Sequence, residues 1–330
     1  MRSPVLASRK NYLFILPLVL LSMMTFAQAE RIENKYSAAR FKDFHNRNSV
    51  DSIYNLFSPE MQAALPKDKA HEFLGALKAQ AGAIQRMEFK KYDGPYASYK
   101  TTFDKGTFAV NIALDANHRI NGFFVKPYED ESLVKPERTV TPLNIPFKEE
   151  WTVVWGGDTK ELNYHVEDVA QKNAFDMVIT DAKGKSYKTT GQTNEDYYAF
   201  GKPILAPCDA EVVNVIEGVP DNKPGEMNKL DITGNTVVLR TAKNEFLFLA
   251  HFKQNSIRVK KGMQVKAGSL LGLCGNSGHS SEPHLHFHVQ NTNDLFSGTG
   301  IKAFFEALKV NGTFKKDYSP VQKDKISPVK

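Results

Sequence analysis

The chain has 330 residues, of which 41% are hydrophobic and 24% charged, and its formal net charge is +6. This is the composition of an ordinary globular protein, and it excludes a wholly disordered chain or a collagen-like fibre. At about 150 residues per domain, the length predicts two domains. Three of the positive charges lie in the first 29 residues, which contain no acidic residue. The basic excess therefore gives little support to nucleic-acid binding.

The first 29 residues have the pattern of a secretory signal peptide. A basic start is followed by the largely apolar residues 12–26 and by the small-x-small sequence Ala27-Gln28-Ala29. The apolar run is shorter than the ~20 residues that a membrane-spanning helix needs. We therefore expect the leader to be cleaved and the mature protein to be exported, to the periplasm or the medium, without stable membrane insertion.

Residues 30–130 have the pattern of a small α+β accessory domain. Ser58-Pro59-Glu60 has the residues of a helix start, and a second helical pattern covers residues 68–80. Four segments of alternating apolar and polar residues then predict an antiparallel meander. These segments are 86–91, 96–103, 108–114 and 119–125. This half resembles the nuclear-transport-factor-2-like or cystatin-like domains found ahead of exported bacterial hydrolases. Its histidines, His45, His71 and His118, are interpreted as ordinary surface residues.

The residue pattern changes in the second half of the chain. Prolines and charges in residues 131–150 predict a solvated linker. Short β runs separated by Gly and Pro in residues 151–312 predict an all-β domain, and residues 313–330 are expected to be a flexible tail. The strand candidates are 174–180, 211–216, 235–240, 245–252 and 284–290. The fold class is thus a small α+β domain followed by an all-β domain.

The only two cysteines of the chain are Cys208 and Cys274. In an exported protein an even number of cysteines permits a disulfide, here one that closes a long loop. Two buried thiols are the alternative, and the sequence does not choose between them.

Histidines are concentrated in the second half of the chain. Six of nine lie at or after His165, and His284, His286 and His288 alternate with apolar residues. Because residues two apart in a strand project from the same face, these three imidazoles would share the face opposite the core. A polar strand face that happens to be rich in histidine is the alternative. His251 follows an apolar run where a strand would meet a loop, and it could instead be a core histidine bonded to the backbone.

Asp176 lies in the middle of the apolar segment 174–179. A carboxylate there costs several kcal/mol unless it is paired, protonated or bound to a metal. Together, His165, Asp176 and His286 would supply two imidazoles and one carboxylate, a set that suits tetrahedral Zn²⁺ with one position left for water.

Seven stretches between residues 150 and 300 occur in the order of one known family. They are Asn163-Tyr164-His165, Ala174-Phe175-Asp176, Ile204-Leu205-Ala206-Pro207, Gly234-Asn235-Thr236-Val237-Val238, Leu249-Ala250-His251-Phe252, Gly275-Asn276-Ser277-Gly278 and Glu282-Pro283-His284-Leu285-His286-Phe287. On these stretches the chain resembles the lysostaphin/LytM-type zinc metallopeptidases, which cut peptide cross-bridges in bacterial cell walls.

The resemblance implies a role for each of the five residues. The zinc ligands would be His165, Asp176 and His286. The catalytic pair would be His251 and His284, and the sequence does not say which of the two is the general base. The common family pattern has three residues between the first His and the Asp, whereas ten intervene here. Asp168 is therefore a second candidate for the carboxylate ligand.

The implied function is that of an exported zinc endopeptidase that hydrolyses peptide cross-links of peptidoglycan through a zinc-bound water. Its partners would be the stem peptides and cross-bridges of the wall, with no nucleic acid, and the sequence predicts no oligomeric state. One alternative is a catalytically silent activator or scaffold for another cell-wall hydrolase. The other is a zinc protease that acts on exported proteins.

Overall fold

The computed structural model describes residues 29–329, so the predicted leader lies, except for Ala29, outside the described residues. Helices and an antiparallel sheet form the N-terminal part, and strands form almost all the regular structure of the C-terminal part. This arrangement confirms the predicted fold class. Across residues 29–329, no helix combines the length and the apolar character needed to span a bilayer.

The N-terminal domain consists of four helices followed by a four-stranded antiparallel sheet. The helices are α1 (Ile32–Asn46), α2 (Val50–Tyr54), α3 (Pro59–Ala64) and α4 (Lys67–Ala81). The strands are β1 (Ile84–Asp93), β2 (Tyr96–Phe103), β3 (Thr107–Leu114) and β4 (Ile120–Pro127), paired in chain order. Ser58 caps α3, because its Oγ accepts the Met61 N–H at 3.2 Å. The predicted helix start and the predicted meander are both confirmed.

Helix α1 is a feature that the sequence pattern did not reveal. Its buried residues include the polar Asn34, Ser37 and His45 beside the apolar Ala38 and Phe41, so the apolar periodicity is broken. His45 is only 2% exposed, and one of its ring nitrogens, Nε2, lies 2.9 Å from a backbone carbonyl. The interpretation of His45 as a surface residue is therefore wrong.

The C-terminal domain is built around a long antiparallel sheet whose strands differ in length. Its strands are β5 (Trp151–Trp155), β6 (Phe175–Val178), β7 (Pro203–Leu205), β8 (Ala210–Ile216), β9 (Asn235–Arg240), β10 (Phe246–Phe252), β11 (Gln264–Val265), β12 (Leu270–Leu273), β13 (Leu285–Gln290), β14 (Gly300–Ile301), β15 (Phe305–Val310), β16 (Thr313–Tyr318) and β17 (Lys325–Ser327). The main sheet has the order β11-β8-β9-β10-β13-β6-β5-β17-β15-β16, with β14 also paired to β13. Strands β7 and β12 form a separate pair.

The linker expected over residues 131–150 is wrong in its second half. Leu143, Ile145 and Phe147 are buried in the core of the C-terminal domain. The buried carboxylate of Glu245 accepts the backbone N–H groups of residues 140 and 141 at 2.6 and 3.1 Å. Every second residue from 143 to 147 is apolar, which is the pattern of a strand-like segment with one buried side. The surrounding prolines and charges made this pattern hard to recognise.

The flexible tail expected over residues 313–330 is also wrong. β16 pairs with β15, and β17 lies between β15 and β5. Ile326 at the centre of β17 is fully buried. A single apolar residue among lysines and prolines is enough to hold β17 in the sheet, because the neighbouring strands supply the rest of the core.

Both cysteines are buried free thiols in the structure. Burial raises the pKa of the Cys208 thiol to about 12 and raises that of Cys274 as well. Neither thiol is therefore ionised at neutral pH.

The N-terminal domain contacts two loops of the C-terminal domain. Phe108 on β3 stacks on Phe296, with ring centroids 5.2 Å apart, and Lys105 Nζ lies 3.5 Å from a carboxylate oxygen of Asp231. A Cβ on Gly106 would lie 2.6 Å from the Phe296 ring, so the two domains approach closely at this point.

Candidate metal and catalytic site

The strand register brings Asp176 and His286 face to face. Strand β13 lies between β10 and β6, and His286 is paired directly with Asp176 of β6. The next pair along these strands, Phe287 and Phe175, belongs to the core on the opposite face. His286 Nδ1 lies 2.8 Å from Asp176 Oδ1. An imidazole and a carboxylate therefore meet at one cross-strand position.

His165 reaches the same carboxylate from a loop. It lies in the short 3-10 helix Tyr164–Glu167, and its Nε2 is 3.0 Å from the second carboxylate oxygen of Asp176. The buried Asn163 holds this loop. Its Oδ1 accepts the His165 backbone N–H at 3.2 Å, and its Nδ2 donates to two backbone carbonyls at 3.2 and 3.0 Å.

These three residues form a buried donor cluster. One atom from each of His165, Asp176 and His286 lies within 4.8 Å of the other two, and each residue is 6% exposed. Burial alone would raise the pKa of Asp176, but the surrounding imidazoles, His284 first among them, outweigh burial and hold that pKa well below its usual range. Burial lowers the pKa of His286. An ionised carboxylate and neutral imidazole nitrogen are donors that a divalent metal ion binds.

His251 reaches the cleft from an irregularity in β10. The pairing of β10 with β9 shifts register between Leu249 and Phe252, and His251 has a φ of 65°. Non-glycine residues rarely adopt this left-handed conformation, which carries backbone strain of about 1–3 kcal/mol and is typical of functional sites. The irregularity turns the His251 ring toward His286, with the ring centroids 5.8 Å apart.

His251 and His284 are held in the same way by backbone carbonyls. His251 Nδ1 lies 2.8 Å from the Ser277 carbonyl oxygen, and His284 Nδ1 lies 2.8 Å from that of Glu282. Because a carbonyl only accepts, each Nδ1 carries a proton, and in the neutral form of either ring Nε2 keeps a lone pair. The two rings are 4.7 Å apart, and His284 Nε2 lies 3.6 Å from Asp176 Oδ1. Burial also holds the pKa of His251 well below its usual value.

Two glycines allow the loop that carries the Ser277 carbonyl to pack closely. A Cβ on Gly234 would lie 2.4 Å from the Ser277 carbonyl oxygen, and a Cβ on Gly278 would lie 2.3 Å from the backbone nitrogen of Gly234. Both glycines also have positive φ values, 59° and 82°. Only glycine fits at either position, and the anchor of His251 depends on both.

The cluster lies at the bottom of a cleft of about 360 Å³. Aromatic side chains, including Trp155, Tyr164 and Phe248, form much of its wall, and no lysine or arginine of the described chain lines it. The loops around Ile232 and Phe296, which also contact the N-terminal domain, complete the wall. Because the carboxylates of Asp176 and Glu282 line the cleft, it suits a peptide better than a phosphate backbone.

All five residues singled out from the sequence line this cleft, whereas Asp168 does not. Asp168 is exposed, and its Oδ1 accepts the Ala170 N–H at 2.9 Å in a turn. The ten residues between His165 and Asp176 form that turn and the entry to β6. Sequence reasoning gave no role to His288, although its position on the His284–His286 face was a visible signal.

Two family models match the chain, one in each half. The model described as Peptidase family M23 matches residues 192–297, and the one described as a protein of unknown function (DUF3887) matches residues 38–123. The chain is also 29% identical over 106 residues to the cell division protein DipM of Caulobacter vibrioides. That match covers 31% of this chain and only 15% of DipM.

Solved structures with a similar region include two catalytic domains. That of lysostaphin from Staphylococcus simulans is 18% identical, covers 46% of this chain and 88% of that chain, and has a TM-score of 0.27. That of the M23 protein EnpA from Enterococcus faecalis is 19% identical, covers 53% and 92%, and also has a TM-score of 0.27. A zinc-containing peptidase from Vibrio cholerae is 17% identical, covers 62% and 49%, and has a TM-score of 0.25.

The fold and the donor cluster define a β domain with a buried His/Asp site able to hold a metal ion. The C-terminal half of this chain contains a region, residues 192–297, that matches Peptidase family M23.

Proposed function

We propose that the protein is an exported zinc-dependent endopeptidase that hydrolyses peptide cross-links of bacterial peptidoglycan. The observation that carries the proposal is the convergence of His165, Asp176 and His286 within 4.8 Å of one another, in a cleft that also contains His251 and His284. Three of these residues have the chemistry of metal ligands, and two have the chemistry of proton acceptors.

The donor set fits zinc. Two imidazoles and one carboxylate are a ligand set found in catalytic zinc sites, which keep a fourth position open. The Asp176 carboxylate is buried, and the surrounding imidazoles favour its ionised form, which is the form that binds a metal ion. Zinc bound here would lower the pKa of a coordinated water and polarise the scissile carbonyl.

The catalytic pair fits proton transfer at a peptide bond. His251 and His284 each donate Nδ1–H to a backbone carbonyl, so both rings have fixed orientations and Nε2 is free to accept a proton. A ring that has accepted a proton at Nε2 can return it to the leaving amine or donate to the developing oxyanion. The pH profiles of single variants at the two positions would distinguish the base from the donor.

The proposed substrate rests on the family match, and the proposed compartment rests on the leader pattern. Residues 192–297 match a peptidase family, and the solved structures with a similar region include lysostaphin, described as an antimicrobial peptidase. The leader pattern supports export to where peptidoglycan is accessible. The cleft is lined by the carboxylates of Asp176 and Glu282 and by no lysine or arginine of the described chain, which argues against nucleic acid as a substrate.

A second candidate is a non-catalytic activator of another cell-wall hydrolase. It is favoured by the name of DipM, which describes a cell division protein rather than a peptidase. Retention of all five polar side chains of the site favours the enzyme, because an activator needs no open metal position.

One experiment separates the candidates. The purified protein is incubated with cross-linked muropeptides, with and without a chelator, and the products are identified by mass spectrometry. Chelator-sensitive loss of the cross-linked dimers supports the endopeptidase, and the same assay with His286→Ala should show no turnover. His71→Ala, which changes an exposed histidine of the N-terminal domain, is the matched control.

Other outcomes contradict the proposal. Intact dimers together with stimulation of a separate hydrolase would support the activator. Cleavage of exported polypeptides with muropeptides untouched would support a protein-directed zinc protease.

A further inference from the structure

A row of buried polar side chains leads from the cleft along β13. His286, His288 and Gln290 alternate on this strand, so they share one face of the sheet. They are 6%, 5% and 0% exposed. We call these three residues the β13 relay. Buried polar groups of this kind need hydrogen-bond partners, and here each member finds one in the next.

The contacts within the relay are continuous. His286 Nε2 lies 2.9 Å from His288 Nδ1, and His288 Nε2 lies 3.3 Å from Gln290 Oε1. At the far end, Gln290 Nε2 donates to the backbone carbonyls of Thr292, at 2.8 Å, and Asp294. The relay therefore connects the cleft to the loop that follows β13.

The fixed end of the relay determines the direction of every bond. Carbonyl oxygens only accept, so the amide nitrogen of Gln290 faces the loop and its Oε1 faces His288. That oxygen only accepts, so His288 carries its proton on Nε2 and offers a lone pair at Nδ1. His286 must then donate from Nε2. A neutral His286 that donates from Nε2 keeps a lone pair on Nδ1.

We propose that His288 and Gln290 are positioning residues that fix the tautomer of His286, so that its Nδ1 faces the cleft as a metal ligand. This inference rests on the metal site of the proposed function. The same arrangement places Nδ1 of His286 2.8 Å from an oxygen of the Asp176 carboxylate. Two electron-pair donors so close together are stabilised when they share a cation.

The anchor of His286 differs from those of the catalytic pair. His251 and His284 bond directly to backbone carbonyls, whereas His286 reaches the backbone only through two further side chains. Gln290 is held tightly, because a Cβ on Gly298 would lie 2.7 Å from its carboxamide carbon. A side chain that orients a metal ligand typically contributes a factor of about 10–100 to metal affinity.

Two substitutions at His288 separate the hydrogen bond from packing. The His288 ring stacks on Phe248, with centroids 4.6 Å apart and planes 7° apart. His288→Phe keeps an aromatic ring on Phe248 but removes the acceptor for His286. His288→Asn loses the ring but can present an oxygen near the position of Nδ1. His71→Phe, at an exposed site in the other domain, controls for the substitution itself.

The test measures zinc affinity by competition with a chelator, and the tautomer of His286 by NMR of the imidazole nitrogens. We expect His288→Phe to weaken zinc binding by about 10–100-fold and to mix the tautomers of His286. We expect His288→Asn to retain most of the affinity, and His71→Phe to retain all of it. Thermal unfolding of the metal-free proteins shows whether each variant is folded.

The opposite order of zinc affinities among these variants would overturn the inference. If His288→Phe binds zinc like the wild type, or if the wild-type protein has its His286 proton on Nδ1 when zinc is bound, the relay does not position the ligand. Failure of the proposed function gives a different result, in which the wild type and His288→Asn bind zinc and no muropeptide is cut. A wild-type protein that binds no zinc overturns both.

Discussion

Both domains bury histidine, but they use it differently. In the N-terminal domain His45 stands alone in an apolar core, and one backbone carbonyl, that of Gly82, satisfies its ring. In the C-terminal domain six histidines line one cleft around a carboxylate, and His284 Nε2 lies 3.6 Å from that carboxylate. Burial of a histidine therefore does not by itself indicate a functional site. Convergence of several on a shared cavity does.

The largest effect should follow removal of the shared carboxylate. Asp176→Asn keeps the shape of the side chain but removes the charge that faces His165 and His286. We expect zinc affinity to fall by more than the ~100-fold typical of changes outside the ligand shell, and turnover to disappear. Asp168→Asn, at the exposed turn, is the matched control and should bind zinc normally. Zinc binding lost at Asp168 and kept at Asp176 would reassign the carboxylate ligand.

The next effect should separate catalysis from metal binding. His251→Asn and His284→Ala remove proton acceptors from the cleft, and Asn tolerates the left-handed backbone at position 251. We expect each variant to keep its zinc and to lose about 10²–10⁴ in kcat/KM, the usual contribution of general acid–base groups. Zinc content by atomic absorption and muropeptide turnover measure the two quantities separately. A variant that loses zinc together with activity would make its histidine a ligand instead.

In the N-terminal domain the same kind of change should affect only stability. His45→Leu leaves the Gly82 carbonyl without its partner, and an unsatisfied buried group costs about 1–3 kcal/mol. We expect that loss in the free energy of unfolding of the N-terminal domain, measured by urea denaturation, with zinc affinity unchanged. A fall in zinc affinity would mean that the two domains are energetically coupled.

The smallest effect concerns the pH dependence of stability. Burial lowers the pKa of His45 below its usual value of 6.5 in the folded state, so the unfolded chain binds the proton more readily. The stability from this group is therefore present above about pH 6.5 and lost as pH falls below it, by at most ~1.4 kcal/mol per pH unit. His45→Gln keeps an N–H donor for Gly82 and should flatten this dependence. An unchanged slope would assign the effect to other groups.

Much of the fold was accessible from the sequence, because patterning and turn residues agree with the tertiary structure there. The predicted strands 96–103 and 235–240 have the bounds observed for β2 and β9. The errors have a common physical cause. In α1, in residues 143–147 and in β17, a few apolar side chains are buried among polar, proline or lysine neighbours, and the partners that bury them are distant in sequence.

The residues of the candidate site could be predicted from the sequence, but their geometry could not. Alternation placed His286 on a polar strand face, and the apolar surroundings of Asp176 pointed to a partner. The register that pairs these two residues depends on β6 and β13, which are 110 residues apart at this pair. The irregularity at His251 and the role of Gln290 depend on backbone geometry and on a distant loop, neither of which leaves a local sequence pattern.

The left-handed backbone at position 251 is offset by a hydrogen bond. Glycine adopts this conformation without steric cost, so His251→Gly would relieve backbone strain of about 1–3 kcal/mol. It would also leave the Ser277 carbonyl without the His251 N–H, which costs a similar amount, about 1–3 kcal/mol. The two changes oppose each other, so a gain in stability does not favour either residue at this position.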